Sequence, residues 1–160
     1  MSKPKRTISV KEAISKAQYL CAEKEKCVSD IRQKLYDWKL PEADHETVIK
    51  QLLDDKFIDE ERYALYFTKD KIVHNKWGRI KITYTLKQKQ IKDEHINNAF
   101  DNFSEDEYEN ILKNELLKKL KTLKDKDEYT MKSKLLRFAA SRGFENGKVF
   151  DIISEIIKSK

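Results

Sequence analysis

The stretch Ile31-Arg-Gln-Lys-Leu-Tyr-Asp-Trp-Lys-Leu40 decides the fold, because its apolar spacing is found twice more along the chain. Apolar residues four positions apart, followed by a third one five positions later, are typical of one face of an amphipathic helix. The spacing returns after 51 residues and again after 53 more, at Ile82, Leu86 and Ile91 and then at Leu135, Ala139 and Phe144. A repeat at a nearly constant shift predicts an array of similar units.

The same shift of 51 residues pairs positions upstream of the first two copies, namely Ala13 with Ala64, Ile14 with Leu65 and Cys21 with Ile72. Each unit therefore carries a preceding helix, and we predict three helices per unit. The sequence predicts an all-α protein, an elongated tandem array of three three-helix units. The predicted bounds are a basic disordered tail at residues 1–8, a first unit at 9–56, a middle unit at 57–103 and a third unit at 104–160.

Residues 79–86 are the segment that fits this interpretation least well. They alternate apolar and polar side chains and include β-branched residues, a pattern that favours a half-buried strand. We predict a helix, because a lone strand would have no pairing partner and the corresponding residues of the first unit have helical spacing. Ile82 and Leu86 would then lie opposite Ile80 and Tyr84. We expect a central helix that is buried on both faces; the alternative is a direct role in ligand binding.

The composition excludes several classes of protein. The chain has only Gly 3 and Pro 2, too few turn residues for a β-sandwich or barrel. Charged residues make up 39%, so the core must be thin, and Tyr 7, Phe 7 and Trp 2 can fill it. No apolar run approaches the roughly 18 residues of a membrane span, and the N-terminal residues lack a hydrophobic signal core. We expect a cytoplasmic protein with no membrane partner and with reduced thiols at Cys21 and Cys27.

Residues that could carry chemistry are scattered along the chain. His45, His74 and His95 are far apart, and none of them is spaced with a cysteine as a zinc site requires. The sequence also has neither a glycine-rich phosphate loop nor a nucleophile elbow. We therefore expect no metal site, no cofactor, no catalytic residue and no enzymatic activity.

Positive charge is concentrated in the middle unit. The whole chain has a net charge of +6. Between residues 69 and 92 a single acid, Asp70, accompanies eight basic residues, which are Lys69, Lys71, Lys76, Arg79, Lys81, Lys87, Lys89 and Lys92. Such a patch costs self-repulsion and therefore favours a binding function over a merely solvated face. Trp77 lies within it, either as a stacking residue or as a core anchor.

Three segments of the middle unit carry a resemblance to a known family. Phe57-Ile-Asp-Glu-Glu-Arg-Tyr-Ala64, Lys76-Trp-Gly-Arg-Ile80 and Leu86-Lys-Gln-Lys-Gln-Ile91 resemble, in order and spacing, the core of the RecX family of bacterial regulators of the RecA recombinase. Two positions depart from the family pattern: Arg79 stands where many members have proline, and Gln90 replaces a glycine. The resemblance implies a mainly structural role for Phe57, Asp59, Arg62, Tyr63, Ala64, Gly78, Ile82, Leu86 and Ile91.

The resemblance also implies a function. Members of the family bind in the groove of the RecA filament on single-stranded DNA and inhibit its ATPase, strand exchange and coprotease activities. We therefore expect a bacterial, monomeric regulator of DNA repair, homologous recombination and the SOS response, with the RecA filament and single-stranded DNA as partners. The residues expected to face the filament or its DNA are Lys69, Lys71, Lys76, Trp77, Arg79, Lys81, Lys87 and Lys89. The alternative is a stand-alone nucleic-acid-binding helical module that acts through the same basic unit.

Overall fold

The computed structural model describes residues 7–124 and 127–158 and contains nine α-helices in that part of the chain. They are α1 (Val10–Glu23), α2 (Val28–Asp37), α3 (His45–Asp54), α4 (Glu60–Val73), α5 (Arg79–Gln88), α6 (Asp93–Asp101), α7 (Glu105–Thr122), α8 (Glu128–Ser141) and α9 (Asn146–Lys158). A short 3-10 turn, Glu42–Asp44, precedes α3. The prediction of an all-α tandem array of three three-helix units is confirmed. Below, α1–α3 form the first unit, α4–α6 the middle unit and α7–α9 the third.

The nine repeat positions form the centres of the units. The first two positions of each copy are fully buried in all three units, and the third position is at most 4% exposed. The first unit packs these residues into a core of its own. The middle and third units share a single core, into which Cys27 of the first unit also inserts. The middle and third units are therefore joined by apolar packing. The first unit contacts the middle unit mainly through charged side chains.

Each repeat ends in the same left-handed turn. Lys39, Gln90 and Gly143 follow α2, α5 and α8 with φ values of 61°, 63° and 88°. The amide of the next residue then bonds back into the helix, at 3.0 Å from Ile91 N to the Leu86 carbonyl oxygen. This is the Schellman arrangement, which caps free carbonyls and folds the following apolar residue over the helix end. The turn therefore brings the third position of each repeat into the core.

Gln90 tests whether this turn is strained without glycine. We expect Gln90→Gly to raise the free energy of unfolding by about 0.5–1 kcal/mol, because a residue with a Cβ enters the left-handed region at a cost. The matched control is Gln88→Gly, two residues earlier in the helical part of α5, which should lower stability by up to about 1 kcal/mol. Urea denaturation measures both changes. A Gln90→Gly protein no more stable than the parent would contradict the idea.

The segment 79–86 is helical, as predicted, but the expectation that both of its faces are buried was wrong. Ile82 and Leu86 are fully buried, whereas Ile80 is 57% exposed and Tyr84 is 64% exposed. The reason lies in how the units meet. The N-terminal end of α5 contacts the third unit and its C-terminal end contacts the first, so the outer face of the helix between these ends stays uncovered.

The described N-terminal residues contact the core of the first unit. Residues 1–6 of the predicted tail lie outside the described residues, and Ile8 packs against the first unit's core. Cys21 and Cys27 are both free thiols. No helix in residues 7–124 or 127–158 is long and apolar enough to cross a bilayer.

Candidate functional site

The middle and third units meet main chain to main chain. Gly78 N–H donates to the Arg142 carbonyl oxygen at 2.7 Å, and Ile80 N–H donates to the Gly143 carbonyl oxygen at 2.9 Å. The first amides of a helix have no partner within it, and here two carbonyls of the turn that follows α8 cap the N-terminus of α5. A Cβ on Gly78 would lie 2.3 Å from the Gly143 oxygen. We call this contact the backbone joint, and it requires glycine on both sides.

Arg79 belongs to the backbone joint. Its guanidinium lies 4.0 Å from the centroid of the Tyr108 ring, and it donates to Glu145 at 3.0 Å and to Glu105. Hydrogen bonds from Lys148 and Arg79 lower the pKa of Glu105 to about 2. Burial and the hydrogen bond to Glu145 raise the pKa of Tyr108. With a side chain only 21% exposed, Arg79 ties α5 to the third unit.

The first and middle units meet mainly through charged side chains. Arg62, near the start of α4, donates to Glu25 in the α1–α2 loop at 2.6 Å. It also donates to the Lys56 and Phe57 carbonyl oxygens at 3.1 and 3.3 Å. Arg62 therefore fastens the loop to the connection between the units. We call this contact, together with the Lys89 pair described next, the ionic joint.

Lys89, just after α5, completes the ionic joint by donating to Asp30 at 2.7 Å. Burial favours a neutral Asp30 carboxyl, but the hydrogen bonds from Lys89 and from the Cys27 amide outweigh it and lower its pKa. Burial raises the pKa of Glu60, although Val28 N–H donates to that carboxylate. In the ionic joint, Arg62 and Lys89 of the middle unit are thus each paired with a carboxylate of the first unit.

A groove with a volume of about 510 Å³ lies between the first and middle units. We call it the inter-unit groove. Its basic and aromatic lining comprises Lys24, Lys26, Lys34, Tyr63, Tyr66, Phe67, Lys71, Trp77 and Lys89. Its acidic lining is Glu25, Asp30 and Asp70. Glu25 and Asp30 already accept hydrogen bonds in the ionic joint, so the lining that remains is net positive.

Trp77 lies at the edge of this groove, and its ring also packs against the shared core. Its ring packs edge-on against Phe67, with centroids 6.3 Å apart, at the border of the shared core. The Lys71 and Lys81 ammonium groups lie 5.1 and 4.5 Å from its centroid. Aromatic rings among basic side chains are typical of grooves that bind single-stranded nucleic acids.

Comparisons with known proteins identify the array. A family model for the second three-helix domain of RecX matches residues 59–99, and a model for its third three-helix domain matches residues 105–153. The chain belongs to the RecX family. The two matched RecX domains fall on α4–α6 and α7–α9, the two units that share a core.

RecX relatives match most of the chain. It is 26% identical over 149 residues to a protein named regulatory protein RecX of Leuconostoc mesenteroides, a match that covers 93% of this chain and 54% of the relative. It is 30% identical over 135 residues to the protein of that name in Clostridium acetobutylicum, covering 82% and 62%. The chain thus spans about half to three fifths of the length of these relatives.

The fold of a solved protein agrees with this assignment. A crystal structure of regulatory protein RecX superposes with a TM-score of 0.82 at 24% identity, covering 91% of this chain and 73% of that one. At this identity the likeness concerns the fold.

The residues that the RecX resemblance singled out for binding do not form one cluster. Lys71, Trp77 and Lys89 line the inter-unit groove, with Lys81 above the indole. The other four lie elsewhere. Lys69 is exposed on α4, and Arg79 lies in the backbone joint. Lys87 pairs with Asp93 at 3.5 Å, and the Lys76 ammonium donates to the Val73 carbonyl oxygen at 2.6 Å.

Sequence reasoning missed Lys24, Lys26 and Lys34, which bring first-unit charge to the groove. They belong to a different unit and reach the groove only because the α1–α2 loop docks on α4. The charge of the middle unit alone could not reveal them. The available signal was that basic residues occur in both of the units that meet at this boundary.

The RecX signature residues occupy core, cap and joint positions. Asp59 caps α4 by accepting from Arg62 N–H at 3.0 Å, and Arg62 and Gly78 serve the two joints. The others lie in or against the two cores and are Phe57, Tyr63, Ala64, Ile82, Leu86 and Ile91. In residues 7–124 and 127–158, no three His, Cys, Asp or Glu side chains lie close enough to hold a metal ion.

Proposed function

We propose that this protein modulates RecA by binding in the groove of the RecA filament on single-stranded DNA and inhibiting its ATPase, strand exchange and coprotease activities. Membership of the RecX family supports this, and so does the name regulatory protein carried by its relatives. The observation that carries the proposal is the inter-unit groove, where two units contribute lysines to one surface and the middle unit adds aromatic rings. We further propose that it acts as a monomer in the bacterial cytoplasm, in DNA repair, homologous recombination and the SOS response.

The groove suits a polyanionic or acidic partner for a physical reason. Besides Lys89, the lining contains four lysines: Lys24, Lys26 and Lys34 of the first unit and Lys71 of the middle unit. Two of its acids, Glu25 and Asp30, already accept hydrogen bonds in the ionic joint. Cations concentrated in a concave surface add their potentials, which speeds and strengthens association with an anion. The first unit therefore contributes to binding as well as the basic middle unit.

The test is the DNA-stimulated ATPase of the cognate RecA, titrated with this protein. We expect substoichiometric inhibition by the parent. The variant Lys34→Glu/Lys71→Glu should need at least about 10-fold more protein for half-inhibition, because reversed charges repel an anionic partner. The control Lys11→Glu/Lys50→Glu makes the same change in net charge on exposed positions of α1 and α3 and should inhibit like the parent.

Two results would contradict the proposal in different ways. A parent protein that leaves the ATPase unchanged even in excess would rule out a RecA modulator. Equal inhibition by the groove variant and its control would show that the inter-unit groove does not bind the filament. Circular dichroism of both variants must match that of the parent for these comparisons.

The second candidate function is a stand-alone nucleic-acid-binding module. The observation that favours it is Trp77 with two ammonium groups near its ring, a combination of aromatic and basic groups that suits base stacking beside a phosphate. Binding to bare single-stranded DNA at several salt concentrations separates the two candidates. Tight binding without RecA that weakens steeply with salt supports this second function, since phosphate neutralisation releases counterions.

A further inference from the structure

We propose that the outer face of α5, formed by Ile80 and Tyr84, is an apolar anchor that docks into a recess with an acidic rim on a protein partner. The inference rests on the proposed function, under which that partner is a RecA protomer of the filament. It adds a contact to protein on a surface separate from the inter-unit groove. We call this face the α5 patch.

The α5 patch is apolar without being covered. Ile80 and Tyr84 are four residues apart on one helix and therefore lie side by side, about 40° apart around the axis. Both side chains are more than half exposed, while Ile82 and Leu86 on the opposite side fill the shared core. Adjacent exposed side chains of this size leave apolar area in water, and burying it in an interface is favourable.

The fold does not need apolar residues at these positions. In the first unit the repeat places Ser29 and Gln33 there, and in the third unit it places Ser133 and Arg137. The corresponding helices of the other two units, α2 and α8, therefore fold with polar side chains at these positions. Only the middle unit presents an isoleucine and a tyrosine, so their presence points to a contact outside the chain.

The surroundings of the patch favour a protein over a nucleic acid. An isoleucine side chain cannot stack on a base, whereas tyrosine beside an aliphatic residue is typical of interface centres. Gln88 donates to the Tyr84 hydroxyl at 2.9 Å and so holds the ring in place before binding. Lys87 lies about 20° from Ile80 around the α5 axis, and its side chain stays 58% exposed beside Asp93. A basic group therefore borders the patch, which matches a partner with acidic residues around an apolar recess.

The α5 patch and the inter-unit groove face different directions. Thr85 and Lys89, which line the groove, lie about 140° and 180° around the α5 axis from Ile80. The protein can therefore touch an anionic partner with the groove and an apolar protein surface with the patch at the same time. Two surfaces on opposite sides of one helix fit a ligand that lies between neighbouring protomers.

The test replaces the patch with the residues of the first unit. The variant Ile80→Ser/Tyr84→Gln and the control Tyr36→Gln/Phe150→Ser remove similar exposed apolar area from α5 and from other helices. We would measure binding to cognate RecA filaments on single-stranded DNA, and to the same DNA without RecA. We expect the patch variant to lose at least about 10-fold in affinity for the filament, with binding to bare DNA unchanged and the control equal to the parent.

Unchanged filament affinity in a folded patch variant would overturn this inference while leaving the proposed function intact. An equal loss on bare DNA would assign the patch to nucleic acid and would also overturn it. A parent protein that does not bind the filament at all would refute the proposed function and this inference with it. The melting temperature of each variant shows whether a loss of affinity reflects unfolding.

Discussion

Gly78→Ala is expected to lower the free energy of unfolding by about 3 kcal/mol. The new Cβ would lie 2.3 Å from the Gly143 oxygen and 2.4 Å from Phe144 N, and these main-chain atoms cannot rotate away as a side chain would. The α5 N-terminus must therefore move, which strains or breaks the hydrogen bonds from Gly78 and Ile80 to the end of α8. Urea denaturation gives the size of the loss, and hydrogen exchange shows whether it falls on α7–α9.

Gly147→Ala is the matched control for that substitution. Gly147 lies in the first turn of α9, and a Cβ there would meet no atom within 4 Å. Because alanine has the higher helix propensity, this change should raise stability by up to about 1 kcal/mol. A Gly78→Ala protein as stable as the parent would show that the two units are not held by the backbone joint.

Arg79→Ala is expected to cost about 2 kcal/mol of stability. The substitution removes a guanidinium that stacks on Tyr108 and bonds to two carboxylates, and it leaves Glu145 partly buried without that partner. The loss of stability should be smaller than for a fully buried ion pair, because the arginine side chain is still 21% exposed. Arg79→Lys should recover less than half of the loss, since an ammonium cannot make the two-sided contact of a planar fork.

The same variants separate a structural role of Arg79 from the binding role that the sequence suggested. Thermal unfolding and RecA ATPase inhibition are measured on Arg79→Ala and on Lys69→Ala, which removes an exposed lysine of α4. If the role of Arg79 is structural, the melting temperature should fall for Arg79→Ala and stay unchanged for Lys69→Ala. Full stability of Arg79→Ala together with lost inhibition would instead identify a direct contact to the partner.

Much of the fold could be predicted because it follows from periodicity. The spacing of Ile31, Leu35 and Leu40 specifies a helix, its buried face and the residue that folds over its end, and repetition specifies the array. Repetition also identified α5 correctly against a local pattern that favours a strand. The exposure of Ile80 and Tyr84 could not be predicted, because it depends on which part of a neighbouring unit reaches that helix.

The candidate site was only partly predictable, because it depends on contacts between units. A concentration of charge identifies the middle unit but not the direction of each side chain. Arg79 and Lys89 look alike in the sequence, yet one lies in the backbone joint and the other in the ionic joint beside the groove. Lys34 belongs to the groove only through docking of the first unit. Local sequence carries no record of such long-range pairings.

The scarcity of glycine in this chain has a consequence for how arrays of this kind can lengthen. Among the described residues, four left-handed positions are occupied by Lys39, Lys56, Lys76 and Gln90, so the turns do not demand glycine. Two of the three glycines, Gly78 and Gly143, face the neighbouring unit where two main chains touch, and only Gly143 of these two also occupies a left-handed turn. A contact of that kind fixes the distance between units almost rigidly, whereas one made by long charged side chains tolerates substitution and small shifts. An added unit could therefore attach through charges with few sequence changes, but matching the tighter spacing would require a new pair of glycines at once.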